Sequence, residues 1–426
     1  MSDSRVTRGL RSLRKAVPEP IAAPDTHRHG EIAAMLRELG IALVEVEQPT
    51  NQIATRLRQI AAKYTTANVS VLVLPTVLII QIGTVAYEVQ VTTRITTQLN
   101  LAGRIDDIAE LAEAGAISPT EAVEALAAAR RTQPRFGPVT SVVGYAITTL
   151  GFGLVMNPTW ASLWGYVFLG TVVGIIVVAA RPYPSLTPVV PPLSALVVTL
   201  LATWFVADAA NDGLLRVITP ALVAVLPGIA LTIGALELAS SAIIAGSSRV
   251  VYGVTQLALM VFGLAAALHI AGPLAPQQPS AQMGPWSLYV AIVVIGVGLY
   301  IYLSGPPRSL IWLTAAVAVA LLGQQLGGLF LTSAHSAAVG AFLVVPFVML
   351  VRHVRGAPPS IVLMLVAFWT LVPGALGFES LSEAATHVDP DVTTLGVTVA
   401  AIFSIALGTL LGWSVFHARL HRRHAQ

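Results

Sequence analysis

Along the first third of the chain, apolar residues recur at intervals of three and four: Ile32, Met35, Leu36, Leu39 and Leu43, then Ile53, Leu57 and Ile60. That spacing places them on one face of a helix. Gln48-Pro49-Thr50-Asn51 interrupts it, so Thr26 to about Tyr64 predicts a helical hairpin whose second helix is capped by Thr50 or Asn51. The period then changes. Val69 to Leu74, Val77 to Ile82 and Val85 to Val91 are short β-branched runs separated by Pro75-Thr76 and Gly83-Thr84, which predicts three strands joined by tight turns. Helical spacing returns from Leu99 to Ala114. Ser118-Pro119, with Glu121 three residues after the serine, opens one more helix through a capping box.

Beyond Arg130, Arg131 and Arg135 the polar face disappears, leaving apolar stretches at about 138–156, 160–180, 189–207, 214–236, 250–271, 286–304, 309–331, 335–351, 360–379 and 394–416. Each approaches the length that spans a bilayer. The expected fold is therefore mainly α: a polytopic membrane protein with about ten transmembrane helices, preceded by a small α+β soluble domain. The expected divisions are a disordered basic tail at 1–26, a cytoplasmic α+β domain at 27–135, five-helix membrane repeats at 136–275 and 276–418, and a basic tail at 419–426.

Composition sharpens this picture. With 55% hydrophobic residues, 11% charged residues and a mean hydropathy of +0.77, the 426-residue chain lies outside the range of soluble domains. The absence of cysteine excludes disulfides and thiol chemistry. Lys15 and Lys63 are the only lysines, and the arginine, alanine and valine richness suits a GC-rich bacterial genome. Arg5, Arg8, Arg11, Arg14 and Lys15 precede prolines rather than an apolar run, which predicts no cleaved signal and suits an anionic lipid surface.

Charge also orients the chain. If the N-terminal domain is cytoplasmic, the inside loops and tail carry Arg181, Arg249, Arg308, Arg352, Arg355, Arg419, Arg422 and Arg423, while the outside loops offer Arg216. Asp208, Asp212, Glu379, Glu383, Asp389 and Asp391 gather on the outer side. The positive-inside rule then places both termini in the cytoplasm of a bacterial cell, with the chain in the inner membrane.

Leu226-Pro227-Gly228 in the fourth stretch has a counterpart in Val372-Pro373-Gly374 of the ninth, at nearly the separation between the starts of the first and sixth. A unit of five spans is odd, so a second copy enters the membrane from the opposite side, giving an inverted repeat. Each Pro-Gly pair is expected to break its helix and leave backbone groups unpaired deep in the bilayer, marking Pro227, Gly228, Pro373 and Gly374 as candidate substrate contacts. Gln324 and Gln325 in the seventh stretch are candidate contacts too, with Gln256, Thr148 and Thr149 as further polar groups that serve equally as interhelical glue. Gly298, which lacks a proline partner, is the control position, where substitution is expected to matter less.

Carboxylates are costly in a bilayer, so Glu379 and Glu237 are candidate proton-coupling groups, Glu237 nearer the cytoplasmic boundary; a solvated helix end is the alternative for each. His335 and His269 read as interface residues. No metal-ligand spacing, catalytic constellation, Walker loop or dinucleotide fingerprint is present, so the expectation is a transporter without cofactor, metal or nucleic-acid partner, and not an enzyme.

The chain resembles the bacterial threonine/serine exporters from about His27 to the end of the tenth stretch. Two runs carry the resemblance. One is Leu36-Arg37-Glu38-Leu39-Gly40 through Thr50, Ile53, Ile60-Ala61 and Tyr64 to Val69-Ser70-Val71 and Leu74-Pro75-Thr76; the other is Leu226-Pro227-Gly228, then Glu237, Gly246 and Arg249. Family members often carry aspartate and an upstream asparagine where this chain has Glu237 and Ile233. The resemblance implies export of threonine and serine driven by protons, with the soluble domain and first five spans forming one unit and the last five another. A dicarboxylate exporter and a membrane sensor with a ligand-binding soluble domain are the alternatives, and a homo-oligomer is left open.

Overall fold

The computed structural model describes residues 25, 27–91, 98–206, 213–272, 280–371, 373–386 and 392–424. The expected basic N-terminal tail, Asp208, Asp212, Val372, Asp389 and Asp391 lie outside the described residues.

The soluble elements follow the sequence pattern closely. Helices α1 (His29–Glu45) and α2 (Thr50–Tyr64) form the hairpin, and strands β1 (Val69–Val73), β2 (Val77–Ile82) and β3 (Val85–Gln90) form an antiparallel sheet in the order β1-β2-β3. Val69 faces Ile82, and Ile82 in turn faces Val85. The two-residue turn between β2 and β3 needs a positive φ, which Gly83 supplies at +59°. Helix α1 lies so close over β2 that a Cβ on Gly40 would stand 2.5 Å from Leu78 Cδ2. Buried Ile32, Leu36, Leu57, Leu78 and Ile80 fill the space between. Helix α3 (Leu99–Ala114) and helix α4 (Pro119–Arg131) close the domain, and Ser118 and Glu121 make the expected reciprocal capping box. Two arginines tie the helices together: Arg56 contacts Asp106 at 2.6 Å and Glu113 at 2.5 Å, and Arg130 contacts Glu38 at 2.7 Å and Glu45 at 3.2 Å.

The apolar stretches are helical: α5 (Pro138–Met156), α6 (Leu163–Ala180), α7 (Val190–Phe205), α8 (Leu214–Leu222), α9 (Gly228–Ala239), α10 (Ile243–Ala271), α11 (Ser287–Tyr302), α12 (Leu310–Gly328), α13 (Ser333–Val351), α14 (Ser360–Leu371), α15 (Pro373–Thr386) and α16 (Val392–His424). Among the described residues, six segments are long and apolar enough to cross a membrane; α8 and α9, bent by 68°, make a seventh if they count as one span, and three apolar helices are shorter. The two Pro-Gly pairs therefore behave differently. The fourth stretch is sharply broken, whereas Ser360–Ser382 in the ninth forms one continuous apolar segment with Pro373 as the first residue of α15. That is a position proline favours, because the missing amide costs a first helical turn nothing. Helix α10 also begins at Ile243, seven residues before the expected start.

Small residues set the packing. Helices α5 and α11 lie against each other with no room for side chains at their contact: a Cβ on Gly144 would fall 2.6 Å from Tyr302 N, one on Gly151 2.6 Å from Ile295 Cγ1, and one on Gly298 2.5 Å from Thr148 Oγ1. Gly298, expected to matter less than the Pro-Gly glycines, thus sits at a tight contact of its own, since close helix approach in a membrane requires small residues. Elsewhere α7 packs on α10 and α13 on α16, while α9 packs on α16 and α15 on α10.

The N-terminal elements dock on the apolar helices at two places. The amides of Leu99 and Asn100, which open α3 and lack helical partners, donate to the carbonyls of Leu303 and Ser304 at 2.9 and 3.1 Å. A turn further on, Gly103 leaves space for Pro306, Pro359 and Val362. The second dock is the hairpin loop between α1 and α2, which sits at the candidate site.

Candidate transport site

The break between α8 and α9 is built by local chemistry. A 3-10 turn, Val223–Val225, follows α8, and Pro227 then precedes the first residue of α9. Proline has no N–H, so the Val223 carbonyl loses the donor that a continuous helix would supply. At the start of α9, the amides of Gly228, Ile229 and Ala230 have no acceptor within the helix and carry its partial positive charge. The Tyr145 hydroxyl of α5 donates to the Ala221 carbonyl at 2.9 Å, which steadies the broken end.

This break opens into a cavity of about 840 Å³. Ala224 to Pro227, Ile229 and Ala230 form one wall, Arg181 beyond the end of α6 another, and Tyr252 and Gln256 of α10 a third; Tyr302 of α11 and Trp369 of α14 complete the membrane side. Glu47, from the hairpin loop of the soluble domain, closes the remaining side.

The lining carries both signs of charge and several groups with unused hydrogen-bonding capacity. Arg181 reaches Ser141 Oγ at 3.4 Å and lies 5.8 Å from the Tyr302 ring centre. Gln256 Oε1, Trp369 Nε1 and Glu47 Oε2 are buried without a hydrogen-bond partner. A buried polar atom left unpaired costs about 1–3 kcal/mol, so three of them on residues around one cavity mark a place that a polar solute would satisfy. Glu47 also adopts a φ of +59°, a left-handed backbone that glutamate rarely takes. Burial pushes its carboxyl above the usual glutamate range, while the nearby Arg249 guanidinium pulls the other way.

Beside the cavity, Glu237 of α9 is fully buried. Its Oε1 accepts the Thr50 N–H at 2.7 Å, and its Oε2 lies 3.2 Å from Arg249 Nε on α10. Asn51 Nδ2 donates to Ser240 Oγ at 2.9 Å close by. Neither Thr50 nor Asn51 caps α2 with its side chain as the sequence suggested; Thr50 is the first helical residue, and its orphan amide is satisfied from the membrane part by Glu237. Glu237 is accordingly no solvated helix end.

Of the other sequence candidates, Pro227 lines the cavity and Gly228 stands directly beside it. Gln324 is half-buried and Gln325 exposed on α12, and neither is part of this cavity. Pro373 and Gly374 open α15, which packs on α8, α9 and α10, and Glu379 on the same helix is half-buried. Glu47, Arg181 and Trp369 were not singled out as site residues. Only the Pro49 break next to Glu47 gave a signal, because their convergence depends on contacts between distant parts of the chain.

Residues 34–271 match the family model ThrE, described as "Putative threonine/serine exporter". The chain belongs to the ThrE family. ThrE membership supports an exporter or transporter and is consistent with a protein that is not an enzyme, and several apolar helices support a multi-pass membrane protein. The ThrE match begins inside α1 and ends on the last residue of α10, so it holds the hairpin loop, the α8–α9 break, Glu237 and Arg249. The second set of helices lies beyond it, a shorter reach than the resemblance read from the sequence. No curated protein and no solved structure matches the chain.

Proposed function

We propose that the chain is a secondary exporter of threonine and serine, working by proton antiport from the cytoplasmic face of a bacterial inner membrane. The observation that carries this reading is the helix break opening into a cavity lined by both a cation and a carboxylate. A zwitterion fits that lining: its carboxylate toward Arg181 and the free amides of α9, its ammonium toward acceptor groups. A dicarboxylate would have to set its second anionic group among Glu47, Gln256 Oε1 and backbone carbonyls, which disfavours that alternative. One proton moving down about 100 mV releases about 2.3 kcal/mol, against about 1.4 kcal/mol for each tenfold gradient of a zwitterion. Glu379, on a helix in the middle of the bundle, is the carboxylate proposed to carry the proton.

Ten spans in two inverted units, 136–275 and 276–418 after a cytoplasmic domain at 27–135, are part of the same proposal. Reciprocal packing supports it, since α9 rests on the last helix of the second unit as α15 rests on the last helix of the first. In proteoliposomes, imposed threonine or serine gradients are expected to drive proton movement in the opposite direction. Gly228→Leu is expected to raise the half-saturating concentration by about tenfold, equivalent to about 1.4 kcal/mol, or to stop transport at normal protein abundance. Substrate movement without any proton flux would overturn the antiport, and unchanged kinetics in Gly228→Leu would move the site elsewhere.

Orientation has its own test, because the chain has no native cysteine. Lys63 is exposed on the soluble domain. A cysteine introduced by Lys63→Cys is expected to resist an impermeant thiol reagent in intact cells and to react once they are permeabilised. Labelling in intact cells would reverse the topology.

A further inference from the structure

We propose that Glu47, a residue of the soluble domain, is the specificity-determining group that selects the α-ammonium of the exported amino acid. This rests on the exporter reading above and adds that the N-terminal domain supplies part of the transport site.

Three observations converge on Glu47. Its Oε2 is buried and unpartnered, and the residue lines the cavity, so a carboxylate with unused hydrogen-bonding capacity stands at the place where solute would sit. The nearby Arg249 guanidinium is engaged elsewhere: it stands 3.2 Å from the fully buried Glu237, and among the described residues no ion pair joins it to Glu47. With Glu47 ionised, two carboxylates face one guanidinium, and that ionised cluster is one positive charge short. From α10, the groups that face Glu47 are Arg249 and Tyr252, and Glu237 of α9 stands behind the arginine.

The third observation is what surrounds the gap. Gln256 lies one helical turn beyond Tyr252 on α10, is 6% exposed, lines the same cavity and carries an unpartnered Oε1. The broken segment, which lines the cavity from Ala224 to Pro227, adds backbone carbonyls at the end of a helix. An ammonium has three donors and no acceptor. A carboxylate, an amide oxygen and a backbone carbonyl are the partners it takes, and its charge supplies what the Glu47, Glu237 and Arg249 cluster lacks. A neutral hydroxyl at the same position would leave the buried carboxylate uncompensated, so the site discriminates by charge rather than by size. The left-handed backbone at Glu47 fits this role, since it turns one loop residue away from the path of the hairpin and toward the cavity.

Serine and glycerate differ in a single group, with a hydroxyl on glycerate replacing the ammonium. Half-saturating concentrations for both, measured in proteoliposomes with radiolabelled compounds, give a selectivity ratio. In Glu47→Gln the preference for serine over glycerate is expected to fall at least about tenfold, through a rise in the serine value. Glu47→Asp, which keeps the charge on a shorter arm, is expected to retain part of the preference. Asn51→Ala removes a docking contact outside the cavity and is expected to change the two values together, leaving the ratio as it was. An unchanged ratio in Glu47→Gln overturns the assignment even if transport slows, and an equal loss of ratio in Asn51→Ala reduces Glu47 to a docking residue. If Glu47→Gln fails to fold, the ratio in Glu47→Asp decides: wild-type selectivity there overturns the assignment. Wild-type protein that carries neither serine nor threonine overturns the exporter reading, and this inference with it.

Discussion

Glu237→Ala is expected to release the hairpin loop of the soluble domain from the membrane helices and to abolish export. The carboxylate is completely buried and does two things at once, accepting the Thr50 amide at 2.7 Å and compensating Arg249, which is itself largely buried. Removing it leaves a buried guanidinium without its partner and the first amide of α2 without an acceptor. Breaking a buried ion pair on one side costs about 3–5 kcal/mol, and a lost helix cap adds about 1 kcal/mol. The measurements are the thermal midpoint of the detergent-purified protein and the rate of proteolysis between α1 and α2. Both are expected to show a large loss of protection, and Glu237→Ala combined with Arg249→Met is expected to recover much of the stability without restoring export. Unchanged protection in Glu237→Ala would mean that the α3 contact with Leu303 and Ser304 holds the domain by itself.

Gly298→Leu is expected to be at least as damaging, through packing rather than charge. Even a methyl group at this position would meet Thr148 at 2.5 Å, and the neighbouring contacts at Gly144 and Gly151 leave the two helices no direction in which to separate locally. Overpacking a tight contact costs about 1–3 kcal/mol for small additions, so Gly298→Ala is expected to lower the yield of monodisperse protein and Gly298→Leu to eliminate it. Gly328, where a Cβ would meet nothing within 4 Å, is the matched control. Normal yield and transport by Gly298→Leu would show that α5 and α11 slide freely past one another.

The soluble elements were legible because their signals are local. Pro75-Thr76 and Gly83-Thr84 fix two turns, and Ser118-Pro119 with Glu121 fixes a helix start, whatever the rest of the chain does. The first apolar stretch was legible for a similar reason, since a bilayer-spanning helix satisfies its backbone within itself. The beginning of α10 was not. Gly246-Ser247-Ser248-Arg249 reads as a polar loop, yet it is helical because Gly246 packs under Leu238 and because Arg249 finds Glu237. The same limitation hid the cap of α2. Pro49-Thr50-Asn51 contains every residue type that caps a helix, and the acceptor came instead from a residue on the other side of the domain boundary. Of the candidate site, the Pro227 break could be read from the sequence because proline acts on its own helix. Glu47, Arg181 and Trp369 could not, because nothing near them in sequence shows that they face one cavity.

The cap on α2 also bears on the order in which the protein is made. A ribosome completes the hairpin long before the fourth apolar stretch, yet the first amide of α2 receives its acceptor only from Glu237. For the time it takes to synthesise everything between Thr50 and Glu237, the N-terminal domain stands with that helix end hydrated and the Glu47 loop unanchored. Insertion of α9 and α10 then settles the loop. The last stage of maturation of the soluble domain is therefore tied to membrane integration, and a nascent chain stalled before Glu237 would present quality-control proteases with an open hairpin where the finished transporter presents a closed one.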